Sequence, residues 1–206
     1  MLGCASGPLP CRSPSACPAG SECLAHRCEP IGAEPVAPDS QRRVLEPADI
    51  AVVRGDGSRG GLPPTVTFGG ALGQSEQLLL RFAASAWGGG SVSAAFLLLE
   101  PVPGAEPSAE DVPVEVAVLG GDWASSSAGG APSSRGPVSA GIARTRPPGL
   151  LRIDVTTILQ ELAHGSDHGL VVRAAAASTR GAVYSTGLDG RLPRLDVYYR
   201  PTRPQP

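Results

Sequence analysis

The chain has 206 residues and a formal net charge of −2, and it contains 27 Gly and 22 Pro. A hydrophobic share of 41% is enough to build a core, so these Gly and Pro residues indicate turns and spacers more than a disordered chain. The nearly neutral charge excludes the basic surface that nucleic-acid binding requires, and no apolar run is long enough for a membrane-spanning helix. All 17 basic residues are Arg and Asn is absent, a bias typical of GC-rich bacterial genomes.

All five cysteines lie within the first 28 residues. Cys11, Cys17, Cys23 and Cys28 are separated by five, five and four residues. A segment this short cannot bury a core of its own, so we expect disulfides to order the head, residues 1–28. Of the three possible pairings we favour Cys11–Cys23 with Cys17–Cys28, although spacing alone does not fix the connectivity. Zinc is the alternative, but CxxC spacing is absent and His26 is the only nearby imidazole.

Cys4 follows Leu2-Gly3, and Leu-Gly-Cys resembles the end of a bacterial lipobox, where a signal peptide is removed and the cysteine is acylated. No charged and then apolar segment precedes it, so our hypothesis is that translation starts upstream and that Cys4 is the lipidated residue. An unmodified thiol is the alternative. Because disulfides require an oxidising compartment, we expect an extracellular or cell-envelope protein, an outer-membrane lipoprotein whose only membrane contact is this N-terminal lipid anchor.

Residues 29–46 contain a proline every few positions and no apolar period, which indicates an extended linker. Residues 47–200 alternate short apolar runs with Gly- and Pro-rich turns, and residues 201–206 are predicted to be a disordered tail. This pattern predicts an all-β fold, an antiparallel two-sheet β-sandwich. The predicted strands are 49–53, 65–68, 77–82, 92–100, 112–119, 151–155 and 195–199.

One segment has helical periodicity instead. Ile158, Leu159 and Leu162 fall on one face of a helix over residues 156–163, and Asp154 or a threonine can cap its start. We expect this single short helix to close one end or face of the sandwich. Residues 120–148 are rich in Ser, Gly and Pro with few apolar residues, which predicts a long loop.

Several motifs follow one another in a recognisable order. They are Leu79-Leu80-Arg81-Phe82, the strand Val92–Leu99, Trp123, Asp154-Val155-Thr156, Gly169-Leu170, Tyr184-Ser185 and Pro193–Tyr198. In this order they resemble the DNRLRE domain, also described as carbohydrate-binding module family 96, over residues 48–200. The resemblance implies a jelly-roll-like β-sandwich in exported proteins, with polysaccharide binding in part of the family. The chain departs from the family at Leu162, where a Trp is frequent, and it has no clear counterpart of the metal-rich loops of many sugar-binding sandwiches.

Sugar binding usually requires an aromatic ring that stacks on the apolar face of a pyranose. The candidate glycan contacts are Trp87, Trp123, Tyr184 and Tyr198. Core packing is the alternative for each ring, because the chain contains only 2 Trp, 3 Tyr and 3 Phe.

Catalytic signatures are scarce. His164 and His168 are separated by a helix-breaking Gly165, and neither an HExxH motif, a GxSxG motif nor a phosphate-binding loop is present. We therefore expect no enzyme activity, no metal and no cofactor. Paired carboxylates for glycoside hydrolysis are the alternative, drawn from Asp154, Glu161, Asp167 and Asp189.

The sequence thus predicts a non-catalytic, exported cell-surface module that binds polysaccharide or a cell-surface glycan. The alternative is a structural or adhesive envelope protein with no carbohydrate site. Aromatic rings exposed together on one sheet face would favour the first function, and buried rings would favour the second.

Overall fold

The computed structural model describes residues 11, 16–24, 27–30, 40–70, 74–83, 90–102, 112–125, 129–143, 150–162, 168–176, 178–179 and 181–201. The strands, in chain order, are β1 (Ser21–Leu24), β2 (Arg27–Pro30), β3 (Gln41–Leu45), β4 (Asp49–Val53), β5 (Thr65–Gly69), β6 (Gln77–Arg81), β7 (Ser91–Leu99), β8 (Val112–Leu119), β9 (Ser134–Ala143), β10 (Leu151–Asp154), β11 (Leu170–Ala174), β12 (Gly181–Ser185) and β13 (Arg194–Arg200). The helix α1 spans Thr156–Leu162. No helix among the described residues has the length and apolar character to cross a membrane.

The strands form two large sheets and two small ones, and every described pairing is antiparallel. The five-stranded sheet has the order β4-β6-β11-β8-β9, and the four-stranded sheet has the order β10-β7-β13-β3. β12 pairs with β5, and β1 pairs with β2 in the Cys-rich head. The predicted all-β antiparallel sandwich is confirmed.

The main core lies between the two large sheets. Leu80 and Val116 reach it from the five-stranded sheet, and Leu97 and Val197 reach it from the four-stranded sheet. All four side chains have no solvent exposure. Because side chains alternate between the two faces of a strand, the period-two pattern in the sequence corresponds to this shared interior.

The predicted helix is confirmed, and Asp154 lies at its start. The Asp154 Oδ1 accepts hydrogen bonds from the Thr156 N–H at 2.9 Å and from the Thr156 hydroxyl at 2.6 Å. The Thr156 Oγ1 in turn accepts a hydrogen bond from the Ala95 N–H of β7 at 2.9 Å. Ile158 and Leu159 are buried in the main core, so α1 packs between the sheets.

The prediction of one continuous loop over residues 120–148 is wrong, because Ser134–Ala143 forms β9 and pairs with β8. Backbone pairing at a sheet edge does not require large apolar side chains, and β9 consists mostly of small residues. Smallness is needed at Gly141, since a Cβ there would lie 2.6 Å from Cγ1 of Ile153. This packing depends on a distant strand and left no signal in the local sequence.

The predicted linker, residues 29–46, also needs a correction at its C-terminal end. Gln41–Leu45 forms β3 and pairs with β13, so the sandwich includes residues before position 47. Four of these five residues are exposed, including Arg42 and Arg43, because β3 is an edge strand. An exposed edge strand has little apolar periodicity, which is why the sequence pattern did not separate it from the linker.

Candidate functional site

The Cys-rich head contains the predicted disulfide between Cys17 and Cys28, whose Cα atoms are 5.4 Å apart. Cys11 is disulfide-bonded as well and is buried. The sulfur atoms of these three cysteines lie within 4.8 Å of one another, but a sulfur in a disulfide offers no thiolate to a metal. Cys4 and the side chain of Cys23 lie outside the described residues.

Trp123 packs on the outer face of the five-stranded sheet. Its neighbours there include Leu79, which faces away from the main core because it lies between two core residues of β6. The guanidinium carbon of Arg81 lies 4.9 Å from the centre of the Trp123 ring, and Arg81 also donates to the Trp123 carbonyl. The indole N–H donates to the carbonyl of His168 at 2.7 Å. These contacts cover one ring face and engage the only polar atom of the indole.

The two candidate tyrosines lie in different places. Tyr184 is on β12 and has no solvent exposure, with its ring 5.9 Å from that of Phe68 in the main core. Tyr198 is on β13 and packs edge-on against Phe96 at 6.2 Å, in a small cluster on the outer face of the four-stranded sheet. The guanidinium of Arg152 lies 4.2 Å from the Phe96 ring centre.

The described candidate rings therefore do not form a platform. Trp123, Tyr184 and Tyr198 are 4%, 0% and 7% exposed, and they occupy two outer faces and the core. No aromatic residue that the structure describes is more than 7% exposed. Trp87 lies outside the described residues, and glycan contact by any of the four rings stays a prediction.

A groove of about 410 Å³ opens beside β4 and was not predicted from the sequence. Val53 at the end of β4 pairs with Arg59, and beyond this bridge the returning chain borders the groove through Gly60, Gly61 and Leu62. A Cβ at Gly61 would meet no atom within 4 Å, so a side chain can be added at this lining residue without a clash.

Polar contacts hold the walls of this groove. The Ser125 N–H donates to Oδ2 of Asp49 at 3.2 Å, and both residues line the groove. Arg59 donates to the carbonyl of Gly129 and, at 3.2 Å, to that of Ala124, so it joins the β4–β5 connection to the segment after Trp123. The groove is lined by residues of three separate segments of the sequence, and the adjacent glycines at 60 and 61 were the only local signal for it.

Asp154 and Asp189, two of the described carboxylates that could serve hydrolysis, have hydrogen-bond partners within the fold. Asp154 bonds Thr156 at the start of α1. Asp189 accepts hydrogen bonds from the Ser185 hydroxyl and from the Arg191 N–H at 3.1 Å. The Ser185 hydrogen bond holds the pKa of Asp189 below its ordinary value of 3.8. A general acid for glycoside hydrolysis requires a raised pKa, which is the opposite direction.

His168 forms a pair with an exposed acid. Its Nδ1 lies 2.8 Å from Oδ1 of Asp122, whose side chain is 89% exposed. His164 and Asp167 lie outside the described residues, so the structure does not test whether they join His168. The carboxylate of Glu161, on α1, points toward β9: its Oε2 would lie 3.1 Å from a Cβ placed at Gly136.

No protein-family model matches this chain, and no curated protein sequence matches it. Its function is therefore inferred from the contacts described above.

Proposed function

We propose that this protein is a non-catalytic module of the cell surface, and that its β-sandwich has a structural or adhesive role without a glycan-stacking surface. One observation carries the proposal: Trp123, Tyr184 and Tyr198 are all at most 7% exposed. A pyranose needs an open ring face, whereas Arg81 covers Trp123 and Tyr184 lies in the core. The three candidate rings that the structure describes are packed within the fold.

An exported location agrees with the chemistry of the head. A disulfide such as Cys17–Cys28 forms and persists in oxidising compartments. We place the lipid anchor at Cys4, within Leu2-Gly3-Cys4. Mass spectrometry of the native protein should find Cys4 acylated, and a free Cys4 thiol would contradict the anchor without affecting the role of the sandwich.

The resemblance to the DNRLRE domain gives this proposal a structural context. Arg81 and Trp123, which carry part of that resemblance, stack on each other at 4.9 Å. The strand motif Val92–Leu99 lies in β7 at the centre of the four-stranded sheet. Membership of this family is a proposal, and it rests on these motifs and on the sandwich fold.

A glycan array probed with the full chain tests the proposed role. We expect no glycan above background, and we expect Trp123→Ala and Tyr198→Ala to lower the melting temperature because both rings are buried. Loss of a large buried ring typically costs about 3–5 kcal/mol. Binding of a glycan that Trp123→Ala or Tyr198→Ala abolishes without lowering the melting temperature would contradict the proposal. The same result for Trp87→Ala would also contradict it.

Saccharide binding in the groove beside β4 is a second candidate. Its volume of about 410 Å³ lies in the range of small-molecule sites, and the Asp49 carboxylate can accept hydrogen bonds from sugar hydroxyls. Gly61→Val adds a side chain at a residue that lines the groove, without a clash at its Cβ. If the array shows binding that this variant loses at an unchanged melting temperature, the groove is the site. Binding that Gly61→Val leaves intact excludes it.

A further inference from the structure

Strand β9 presents an open apolar edge to solvent. It is the last strand of the five-stranded sheet, and its only described strand partner is β8. Val138 is 55% exposed and Ile142 is 41% exposed, and the exposed Ala140 lies between them on the same face. Residues 136–143 contain no charged residue. Soluble proteins usually protect such an edge with charged side chains, proline or a β-bulge. In β9 the proline at position 137 and a bulge lie before Val138, and the segment from 138 to 142 has none of these protections.

The pairing of β9 with β8 shows which backbone groups point outward. Pro113 lies opposite Ile142 and has no N–H, so this pair cannot be one that exchanges two hydrogen bonds. The Pro113 carbonyl points the other way and accepts a hydrogen bond from the Ala175 N–H at 2.8 Å. Doubly bonded pairs alternate along an antiparallel ladder. Ser139 and Gly141 therefore bond to β8, and the N–H and C=O groups of Val138, Ala140 and Ile142 point to the open edge.

We propose that β9 pairs with β9 of a second copy of this chain, antiparallel and with the two-fold axis at Ala140. In this register Val138 lies opposite Ile142 of the second copy, and Ala140 lies opposite itself. Each outward-pointing residue then exchanges both of its backbone hydrogen bonds. If the two strands are shifted relative to each other, Val138, Ala140 and Ile142 no longer all pair with one another. The pattern of β9 therefore favours the register centred on Ala140.

A second copy fits this edge better than an unrelated strand does. A two-fold contact places the same surface on both partners, so the surface must complement itself. β9 does so because its larger apolar residues flank a small central one at equal spacing. The uncharged segment also avoids the like-charge repulsion that two identical charged edges would have.

The contact is a short strand pair, smaller than a standard stable interface, so it forms a weak dimer. Anchoring many copies on one surface would raise their effective concentration and favour pairing. In that setting the inference rests on the proposed structural or adhesive role, and it names a second copy of the chain as the binding partner. Dimer formation in solution is measured without any glycan. A chain that does not dimerise therefore contradicts this inference and leaves the proposed role, which the glycan array tests, unaffected.

Sedimentation velocity of the full chain over a wide concentration range tests the dimer. Cys4→Ser in every sample removes crosslinking through that thiol. Val138→Lys places a charge on the β9 edge, and Val44→Lys is the matched control, since Val44 is a 52% exposed valine on the edge strand β3. Ala140→Pro removes the central outward N–H and leaves the bonds from β9 to β8 in place.

We expect the wild-type sedimentation coefficient to rise with concentration and the Val44→Lys variant to behave like it. Val138→Lys and Ala140→Pro should weaken association by about tenfold or more, since each substitution occurs in both copies. Circular dichroism should show that both variants are folded. A wild-type chain that stays monomeric would overturn the inference. So would Val138→Lys dimers as strong as the wild type, or an equal loss in Val44→Lys.

Discussion

At the scale of single residues, the hydrogen bond between Ser185 and Asp189 has a measurable consequence. Ser185 is fully buried, and its hydroxyl also accepts a hydrogen bond from the Gly187 N–H at 3.0 Å. The Asp189 carboxylate accepts a hydrogen bond from the Ser185 hydroxyl, which holds its pKa below the ordinary value of 3.8. The folded state therefore favours the ionised carboxylate, and this contribution to stability is lost as the pH falls through the lowered pKa.

We expect Asp189→Asn to be less stable than the wild type at pH 7. The difference in the free energy of unfolding should shrink as the pH falls below 3.8, because the wild-type carboxylate then also loses its charge. Urea unfolding at a series of pH values measures the difference. Glu46→Gln, which removes an exposed carboxylate, is the control and should show little of this trend. A constant difference at every pH would contradict the assignment.

Asp56, in the turn after β4, also accepts a hydrogen bond from a serine hydroxyl. Its Oδ1 accepts hydrogen bonds from the Ser58 hydroxyl at 2.6 Å and the Ser58 N–H at 2.8 Å, and these lower its pKa. The turn is exposed, so these bonds shape it with little burial. In both turns, a hydrogen bond from a nearby serine to the aspartate carboxylate holds the local backbone in place.

At the scale of elements, the join between α1 and β7 depends on one buried hydroxyl. Thr156 is 2% exposed, and its Oγ1 accepts from the Ala95 N–H while the hydroxyl donates to Asp154. A buried N–H left without a partner is costly, so the hydroxyl both starts the helix and completes the sheet.

Thr156→Val keeps the shape of the side chain and removes both bonds. We expect the free energy of unfolding to fall by about 1–3 kcal/mol, the range for leaving a buried polar group unpaired. Thr65→Val on β5, at a half-buried position, is the control and should change it by less than about 0.5 kcal/mol. Chemical denaturation of both variants gives the comparison, and an equal effect would show that the hydroxyl of Thr156 is not needed.

Strands with several apolar residues were predictable from the sequence, including the edge strands β4 and β10, whereas the edge strands β3 and β9 were not. Val112–Leu119 was predicted within its observed bounds because its alternating valines all face the core. β3 was missed because four of its five residues are exposed, and β9 because most of its residues are small, which at Gly141 is explained by Ile153 on another strand. The strands β11 and β12 were also absent from the strands predicted by periodicity, although β11 lies inside the five-stranded sheet. The groove beside β4 brings Asp49 together with Ser125, a long-range contact that no local pattern encodes.

At the scale of the whole molecule, few aromatic residues serve three separate packing layers. Phe68 and Tyr184 pack in the main core, Trp123 packs outside the five-stranded sheet, and Phe96 and Tyr198 pack outside the four-stranded sheet. A chain with 8 aromatic residues that buries rings in every layer has few left for binding. This distribution, more than any single ring, is the basis of the proposed structural or adhesive role.

Surface ion pairs contribute less to this architecture. Arg173 and Glu115 approach to 2.6 Å and Arg194 and Glu100 to 2.8 Å, but all four side chains are partly exposed. Exposed pairs of this kind are worth about 0–1 kcal/mol each. The fold therefore depends mainly on aliphatic burial, with the head held separately by its disulfides.

The fluorescence of Trp123 tests the central claim most directly. In the full chain with Trp87→Phe, Trp123 is the only tryptophan. We predict blue-shifted emission that acrylamide quenches weakly, both unchanged when soluble polysaccharides are added. Near-ultraviolet circular dichroism should first show that the variant is folded. Emission typical of an exposed indole, or a shift and protection from acrylamide on adding a polysaccharide, would contradict the account.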